Sequence, residues 1–448
     1  MRRHLSVSTL IREGKKTAIL AAPLIIGQVS QMLMMIADTV MIGKVGVTEL
    51  AALTFANAFF SVPFVFGIGL ITSISVLTST AAGADNASNA RSVCRNGFYL
   101  ALGAGFILAL IGYAFLPFLS IFGQPADVTA LTPPYLSLIL ISLVPALGSM
   151  ALKNHSDSLD RPWPSFFIFL GGVFLNIALN QLFIFTLGFG LVGAAWATLI
   201  SRCMIVIAML LWFEKSQRLA DFTPNRWIAK PDRVTFSSLF ALGIPASFHL
   251  IAEVGAFSGA GFLVGHFGEI SLAAHQIALT TAGTLFMIPL GIAIALTMRI
   301  GNAAGAQQPE RFPAIIFSGW LLSLCFIALT STLCGIWRFD IAALYVEEKD
   351  VIQFAAHLLF IVVIFQLFDG IQVVSGGLLR GLEDVTIPAW GAFVSYILVG
   401  LPSGYIFAHF GGFGAVGIWY GLALGLFVAA VFLTLRVWMK MRSIRFTK

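Results

Sequence analysis

Twelve stretches of this 448-residue chain, near 17-41, 50-79, 92-118, 131-151, 163-187, 190-213, 236-264, 272-300, 312-336, 351-376, 388-410 and 414-440, are apolar over about 20 residues or more. A run of that length crosses a hydrocarbon core as a helix, because a helix satisfies every backbone N–H and C=O without water. The sequence therefore predicts an all-α polytopic membrane protein. Composition agrees, with 58% of residues hydrophobic and only 10% charged, a balance foreign to soluble domains.

Lys and Arg near span ends are retained on the cytoplasmic side. With both termini inside, 22 of the 26 basic residues fall in cytoplasmic segments, from Arg2, Arg3, Arg12, Lys15 and Lys16 at the start to Arg380, Arg436, Lys440, Arg442, Arg445 and Lys448 at the end. Only Lys44, Arg338 and Lys349 fall on the other side, and Arg202 lies within a span. The net charge of +6 is thus a matter of topology and implies no nucleic-acid partner. Residues 1-16 form a basic arm without a removable signal's cleavage site and are expected to stay on the protein. The cysteines Cys94, Cys203, Cys325 and Cys334 have no paired spacing, so neither a disulfide framework nor a metal site is implied.

The chain repeats itself. Pro23 falls on Pro245, Gly43 on Gly265, Leu50-Ala51-Ala52 on Leu272-Ala273-Ala274, and Ala81-Ala82-Gly83-Ala84 on Ala303-Ala304-Gly305-Ala306, all at an offset of 222. Pro164 falls on Pro388, and Gly190 and Gly193 on Gly414 and Gly417, at 224. A duplicated six-span unit re-enters the membrane in the same sense, which makes the repeats parallel about the membrane normal. The expected organisation is two pseudo-symmetric six-helix lobes, 1-213 and 236-448, around a central cavity, joined by a cytoplasmic linker at 214-235. Trp227 and Ile228, amid basic residues of that linker, are expected on the membrane surface. No ATP-hydrolysing module or P-loop pattern interrupts this plan, so any pumping must draw on an ion gradient.

Three carboxylates, Asp38, Glu253 and Asp369, lie inside otherwise apolar spans. Insertion scales put such a charge at ~2.5–3.5 kcal/mol at the bilayer centre, so an intramembrane acid is a functional candidate by default. Gln31 precedes Asp38 by two helical turns, and His249 precedes Glu253 by four residues on one face. Gln366 and Gln372 flank Asp369, and Asn176 and Asn180 form an i,i+4 pair able to hydrogen-bond a carboxylate across the first lobe. The competing reading is that these groups glue helices together, which fits Gln28, Gln31, Gln366 and His249 as well as function does and fits the three acids less, since an amide glues at lower insertion cost. Arg202 reads either as a partner for an acid or as a snorkelling side chain. His275, at the start of the eighth span, reads as a solvated or capping group. Pro23 predicts a bend in the first span.

Burial disfavours the ionised form of a carboxyl group and an arriving cation favours it, so proton, metal cation and organic cation compete for one charge. If the ion-bound and substrate-bound forms prefer opposite facings, a gradient drives efflux by population shift. Glu253 and Asp369, if adjacent, titrate as a pair. Met32, Met35, Phe365 and Phe368 are candidates for cation-π and soft contacts with flat hydrophobic cations, although helix-spaced aromatics are more often core.

The segment Ile36-Ala37-Asp38-Thr39-Val40-Met41-Ile42-Gly43, the motif Ala273-Ala274-His275-Gln276-Ile277-Ala278, and Asp369-Gly370-Ile371-Gln372 leading to Leu379-Arg380-Gly381 together resemble the multidrug and toxic compound extrusion (MATE) family, in its NorM-type bacterial branch. The resemblance runs from about Pro23 to Arg436. It implies a monomeric multi-pass protein of the bacterial inner membrane, needing no cofactor, that exports cationic amphiphiles in exchange for Na+ or H+. It also implies cation coupling at Glu253 and Asp369, with Na+ as the preferred metal there, proton or substrate handling at Asp38, and Asn176 and Asn180 beside that acid. Phe365 stands where some members carry Tyr, so a phenol hydroxyl is lost at that position.

The nearest rival is a lipid-precursor flippase of the same superfamily, but such proteins line their cavity with several arginines, whereas these spans offer one arginine and three acids. A major-facilitator transporter would carry a Gly-Arg-Arg-type loop where this chain has Ala82-Gly83-Ala84-Asp85. A membrane prenyl transferase would need an Asp-rich motif denser than Asp157/Asp160 or Glu383/Asp384. A passive channel would show rings of charge.

Overall fold

A computed structural model describes the backbone of residues 6–446 and side chains as far as Ser443, so Arg2, Arg3, Arg445 and Lys448 of the charge bias lie outside the described side chains. Among the described residues there is no strand, and twelve helices are long and apolar enough to cross a membrane. They are α1 (Val7–Gly43), α2 (Val47–Gly83), α3 (Ala87–Phe122), α4 (Ala126–Ser158), α5 (Pro162–Thr186), α6 (Gly190–Lys215), α7 (Arg233–Gly265), α8 (Glu269–Gly305), α9 (Pro309–Ile336), α10 (Lys349–Gly381), α11 (Thr386–His409) and α12 (Ala415–Ser443). Several outrun their apolar stretches. Thus α1 starts at Val7 because the basic arm, rich in good helix formers, continues the helix past the hydrocarbon core.

The duplication is written in the backbone as well. Asp85 and Gln307, 222 residues apart, both take left-handed φ values, 51° and 55°. Gly188 and Gly412 (70° and 75°) and Gly190 and Gly414 (both 55°) repeat at 224. At such turns the chain needs a conformation that glycine adopts without a Cβ penalty.

Packing divides the chain differently from the repeat. One compact unit combines the chain up to Ile25 with Phe248 onward, and the other is Ile26–Ser247. The repeat boundaries at 213 and 236 follow the linker, whereas the packing boundaries fall inside α1 and α7, two residues after Pro23 and Pro245. The reason is local. The start of α1 is held in its unit by Arg299 of α8, which donates to the Glu13 carbonyl (2.7 Å) and contacts the Glu13 carboxylate, and by a close approach of Gly291 to Ile25. The start of α7 is held in the other unit by Ser247 Oγ donating to the Phe66 carbonyl (2.7 Å), where Gly69 lets the two backbones touch.

In the first-named unit, α11 and α12 meet along a glycine seam. Gly400 and Gly404 face Gly421 and Gly425, each pair spaced by four, and a Cβ on Gly421 would lie 2.2 Å from Gly404 Cα. Small residues at this spacing let membrane helices approach to backbone contact. Asp384 then ties the α10–α11 turn to α12 through Arg436 (2.7 Å).

The linker also packs in the Ile26–Ser247 unit. Trp227 turns inward, with ring centroids 5.7 Å from Phe98 and 6.3 Å from Phe213, and its carbonyl accepts from the Tyr99 hydroxyl. This corrects the expected surface placement of Trp227, because a preformed aromatic pocket outcompetes the interface. Ile228 alone stays exposed, at 93%. Asp232 caps α7 by accepting from the Thr235 hydroxyl (2.5 Å) and the Val234 N–H (3.2 Å).

Candidate functional site

The intramembrane carboxylates fall in two clusters, one in each unit. In the Ile26–Ser247 unit, Asp38 sits on α1 and accepts a hydrogen bond from Asn180 Nδ2 at 2.5 Å. The same amide nitrogen donates to Asn176 Oδ1 (3.2 Å), and Asn176 Nδ2 donates to Thr198 Oγ1 (3.3 Å). The i,i+4 spacing of Asn176 and Asn180 on α5 makes this relay possible, and it joins α1, α5 and α6. Both asparagines are fully buried, and Asn180 Oδ1 is left without a partner among the described residues. Immediately after Asn180, α5 widens into a π-helical turn, Gln181–Thr186, an irregularity that frequently marks functional positions. Gln31 is half-buried and stands outside this chain of hydrogen bonds.

Arg202 of α6 does not snorkel. Its guanidinium donates to Ser142 Oγ (2.6 Å) and lies over the rings of Phe60 and Phe64, 5.2 and 5.7 Å from their centroids. Arg202, Asp38 and the buried Tyr135 are near enough for their charges to act on one another. Arg202 is thus held inside the unit by Ser142 and the two rings, and forms no ion pair with an acid among the described residues. The cation sits on aromatic faces that stabilise it where water cannot.

The second cluster lies in the other unit, where α7, α10 and α11 contribute. Glu253 and Asp369 are 8% and 3% exposed and near enough for the charge of Glu253 to act on Asp369. His249 meets Gln372 through Nε2 and Nε2 at 3.2 Å, and Gln366 instead donates to the Ala282 carbonyl (2.8 Å), a structural contact between α10 and α8. Asp369 Oδ1, Gln372 Oε1 and Tyr396 Oη are buried without partners among the described residues. Polar atoms in that state call for water, a proton or an ion.

Two members of this cluster escaped the sequence reading. Arg380, counted among the cytoplasmic basic residues, is turned inward: its Nη1 lies 3.8 Å from where a Cβ on Gly376 would be, and its charge acts on Glu253. The helix α10 runs unbroken to Gly381, which makes this return possible. Tyr396, inside a π-helical turn of α11 (Val394–Gly400), feels the charges of both Glu253 and Asp369. A phenol hydroxyl is thus present beside the acids, from a residue 31 positions after Phe365. A lone Tyr in an apolar span carries no sequence signal of its own.

Other expectations are corrected. Phe365 is 1% exposed and packs edge-on against Phe257 (5.9 Å) and Trp419 (5.7 Å), so its ring is core and offers no face to a substrate. Phe368 packs on Phe427 (5.2 Å). His275 is neither solvated nor a cap: it is 2% exposed, lies against Trp419, and both its ring nitrogens lack partners among the described residues. It is buried because α8 begins two turns before it, at Glu269.

The MatE family profile matches residues 23–182 and 245–406, one match in each repeat. A probable multidrug resistance protein NorM of Rhizobium meliloti (strain 1021) is 34% identical over 434 residues, covering 95% of this chain and 93% of the relative. The multidrug resistance protein MdtK of Yersinia pseudotuberculosis serotype O:1b is 29% identical over 447 residues, covering 97% and 98%. Among solved structures, a eukaryotic MATE transporter superposes with a TM-score of 0.89 at 22% identity, over 98% of this chain and 99% of that one. An outward-facing multidrug resistance MATE family transporter does so with 0.90 at 20% identity, over 97% of each. At these identities the structural likeness is one of fold.

Proposed function

This chain belongs to the MatE family, and from that premise we propose that it is a secondary multidrug exporter of a bacterial inner membrane. It exchanges Na+ or H+ for hydrophobic, mostly cationic compounds by alternating access, as a monomer with both termini in the cytoplasm. Relatives named as multidrug resistance proteins cover nearly its full length, which supports the substrate class.

The observation that carries the coupling reading is a difference in charge between the two clusters. Asp38 has an amide donor, Asn180, and a positive charge, that of Arg202, near enough to act on it. In the second cluster Arg380 acts on Glu253, whereas the charge acting on the buried Asp369 is that of Glu253 itself, so the pair carries one negative charge more than its arginine offsets. A charge that costly to bury is met by a proton or a cation. The second cluster is therefore the coupling site, and Asp38 with its asparagines handles the proton or the substrate.

Among the described residues no three His, Cys, Asp or Glu side chains converge on a metal position. A transported Na+ would rely on the two carboxylates with neutral oxygens, for which Gln372 Oε1 and Tyr396 Oη stand unpartnered. Hard cations take such oxygens, so the donor set fits. Gln372 and His249 orient one another beside the acids, and the coupling ion's arrival and departure change the charge that the two-state protein must accommodate.

Dye efflux from proteoliposomes tests this, with an inward Na+ gradient at fixed pH set against an inward proton gradient without Na+. Efflux under Na+ alone assigns Glu253 and Asp369 as a metal-cation site, and efflux under protons alone makes them a proton exchanger. Efflux under neither refutes the antiport reading and promotes lipid-precursor translocation.

A further inference from the structure

At the end of α1 that the basic-residue bias assigns to the cytoplasm, α1 and the start of α9 enclose a cavity of about 400 Å³ lined by Arg12, Glu13, Lys16, Glu310 and Arg311. That volume is within the ~300–1,000 Å³ typical of ligand sites. Glu13 is 4% exposed, and its Oε2 is already engaged by Arg299, which also donates to the Thr17 hydroxyl. Arg12, Lys16 and Arg311 stand 3.9, 3.7 and 3.7 Å from the same carboxylate. They are near enough to be attracted but too far to spend their N–H donors on it. The lining thus sets three cationic groups, Arg12, Lys16 and Arg311, against two carboxylates, Glu13 and Glu310, and since Arg299 behind the lining already offsets Glu13, the positive charge facing this ready-made recess is in excess.

We propose that this recess binds the phosphodiester headgroup of an anionic lipid from the cytoplasmic leaflet. Charge complementarity selects a phosphate, and the surroundings select a lipid as its source. Arg12, Lys16 and Ile19 share one face of α1 at helical spacing, and Ile19, 61% exposed, lies one turn deeper than Lys16. Ile11, beside Arg12, is 66% exposed. A headgroup held by Arg12, Lys16 and Arg311 places its acyl chains along that apolar strip. Basic recesses between helices at the cytoplasmic surface recognise anionic headgroups by the same physics. Because Lys16 belongs to α1 and Arg311 to α9, a bound phosphate also bridges these two helices, beside the tie from α1 to α8 that Glu13 makes with Arg299.

Native mass spectrometry of the purified full-length protein, with phosphatidylglycerol or phosphatidylcholine added in turn, reads the site directly. Wild-type protein should retain phosphatidylglycerol and release phosphatidylcholine, and the double variant Lys16→Gln/Arg311→Gln should bind phosphatidylglycerol roughly 30-fold more weakly. A control double variant, Arg226→Gln/Lys230→Gln in the linker, should bind as wild type. If the control loses as much as the recess variant, attraction is general to the basic surface and the proposal fails. If glycerol 3-phosphate displaces the lipid at equal concentration, the recess recognises a soluble phosphate and the lipid assignment fails. A thermal melt of each variant, matching wild type without lipid, keeps loss of binding distinct from loss of fold.

Discussion

Replacing Gly421 by alanine is a one-atom test of the seam between α11 and α12. The new Cβ would stand 2.2 Å from both Cα and N of Gly404 and 2.6 Å from the Gly400 carbonyl oxygen. Comfortable carbon contacts begin near ~3.5 Å, so the two backbones must part by more than ~1 Å along a line where no side chain can rotate away. Overpacking of that kind costs about 1–3 kcal/mol. Gly283 of α8 is the control, because a Cβ there meets nothing within 4 Å and alanine gains up to about 1 kcal/mol of helix propensity. Thermal unfolding of the detergent-purified variants should place Gly421→Ala several degrees below wild type, at ~2–4 °C per kcal/mol for a unit of this size, and Gly283→Ala at or above it. A Gly421→Ala protein that melts with wild type would show that the seam is not close-packed, and the argument from glycine contacts would fall.

Further consequences are separable. Asp369→Asn should fold, melt normally and lose ion-driven efflux, whereas full transport by it would sink the coupling assignment. Tyr396→Phe removes only an unpartnered hydroxyl, so stability should hold while the apparent affinity for the coupling ion falls, read from the Na+ or H+ concentration giving half-maximal efflux. Asp38→Asn should impair efflux without loss of membrane expression; a change confined to expression would make the Asp38–Asn180 contact purely structural. At Asp232, the Thr235 hydroxyl and neighbouring donors hold the carboxyl below the ordinary range. Its contribution to stability is therefore present above the unfolded value of about 3.9 and disappears as pH falls through the lower folded value. Asp232→Asn should lower the melting temperature at neutral pH and match wild type in strong acid, and equal losses at both would refute the capping role.

The membrane class, the number of spans and the duplication were legible because each rests on long apolar runs or on proline and glycine at fixed spacing. Asn180 reaching Asp38 was legible too, since spacing of four on a helix brings two amides to one face. What escaped has physical causes. Arg380 looks cytoplasmic by its distance from the apolar run, yet a long guanidinium side chain at a span end can turn back to an acid. Tyr396 and Tyr135 are ordinary aromatics until three-dimensional packing sets them beside charge. Phe365 misled in the other direction, because proximity in sequence to Asp369 suggested a cavity face where α10 presents it to Trp419. His275 misled through a span boundary drawn too late.

The division of packing inside α1 and α7, in place of the linker, bears on how such a chain arose and how it can be cut. A six-span ancestor with this arrangement would have been a swapped pair, each copy lending the opening turns of its first helix to the body of the other. Fusing the genes keeps the exchange and removes its dependence on concentration. Severing the linker today would leave two fragments that each hold most of one body and a strap belonging to the other. Neither is self-sufficient, and only co-expression should return a working transporter.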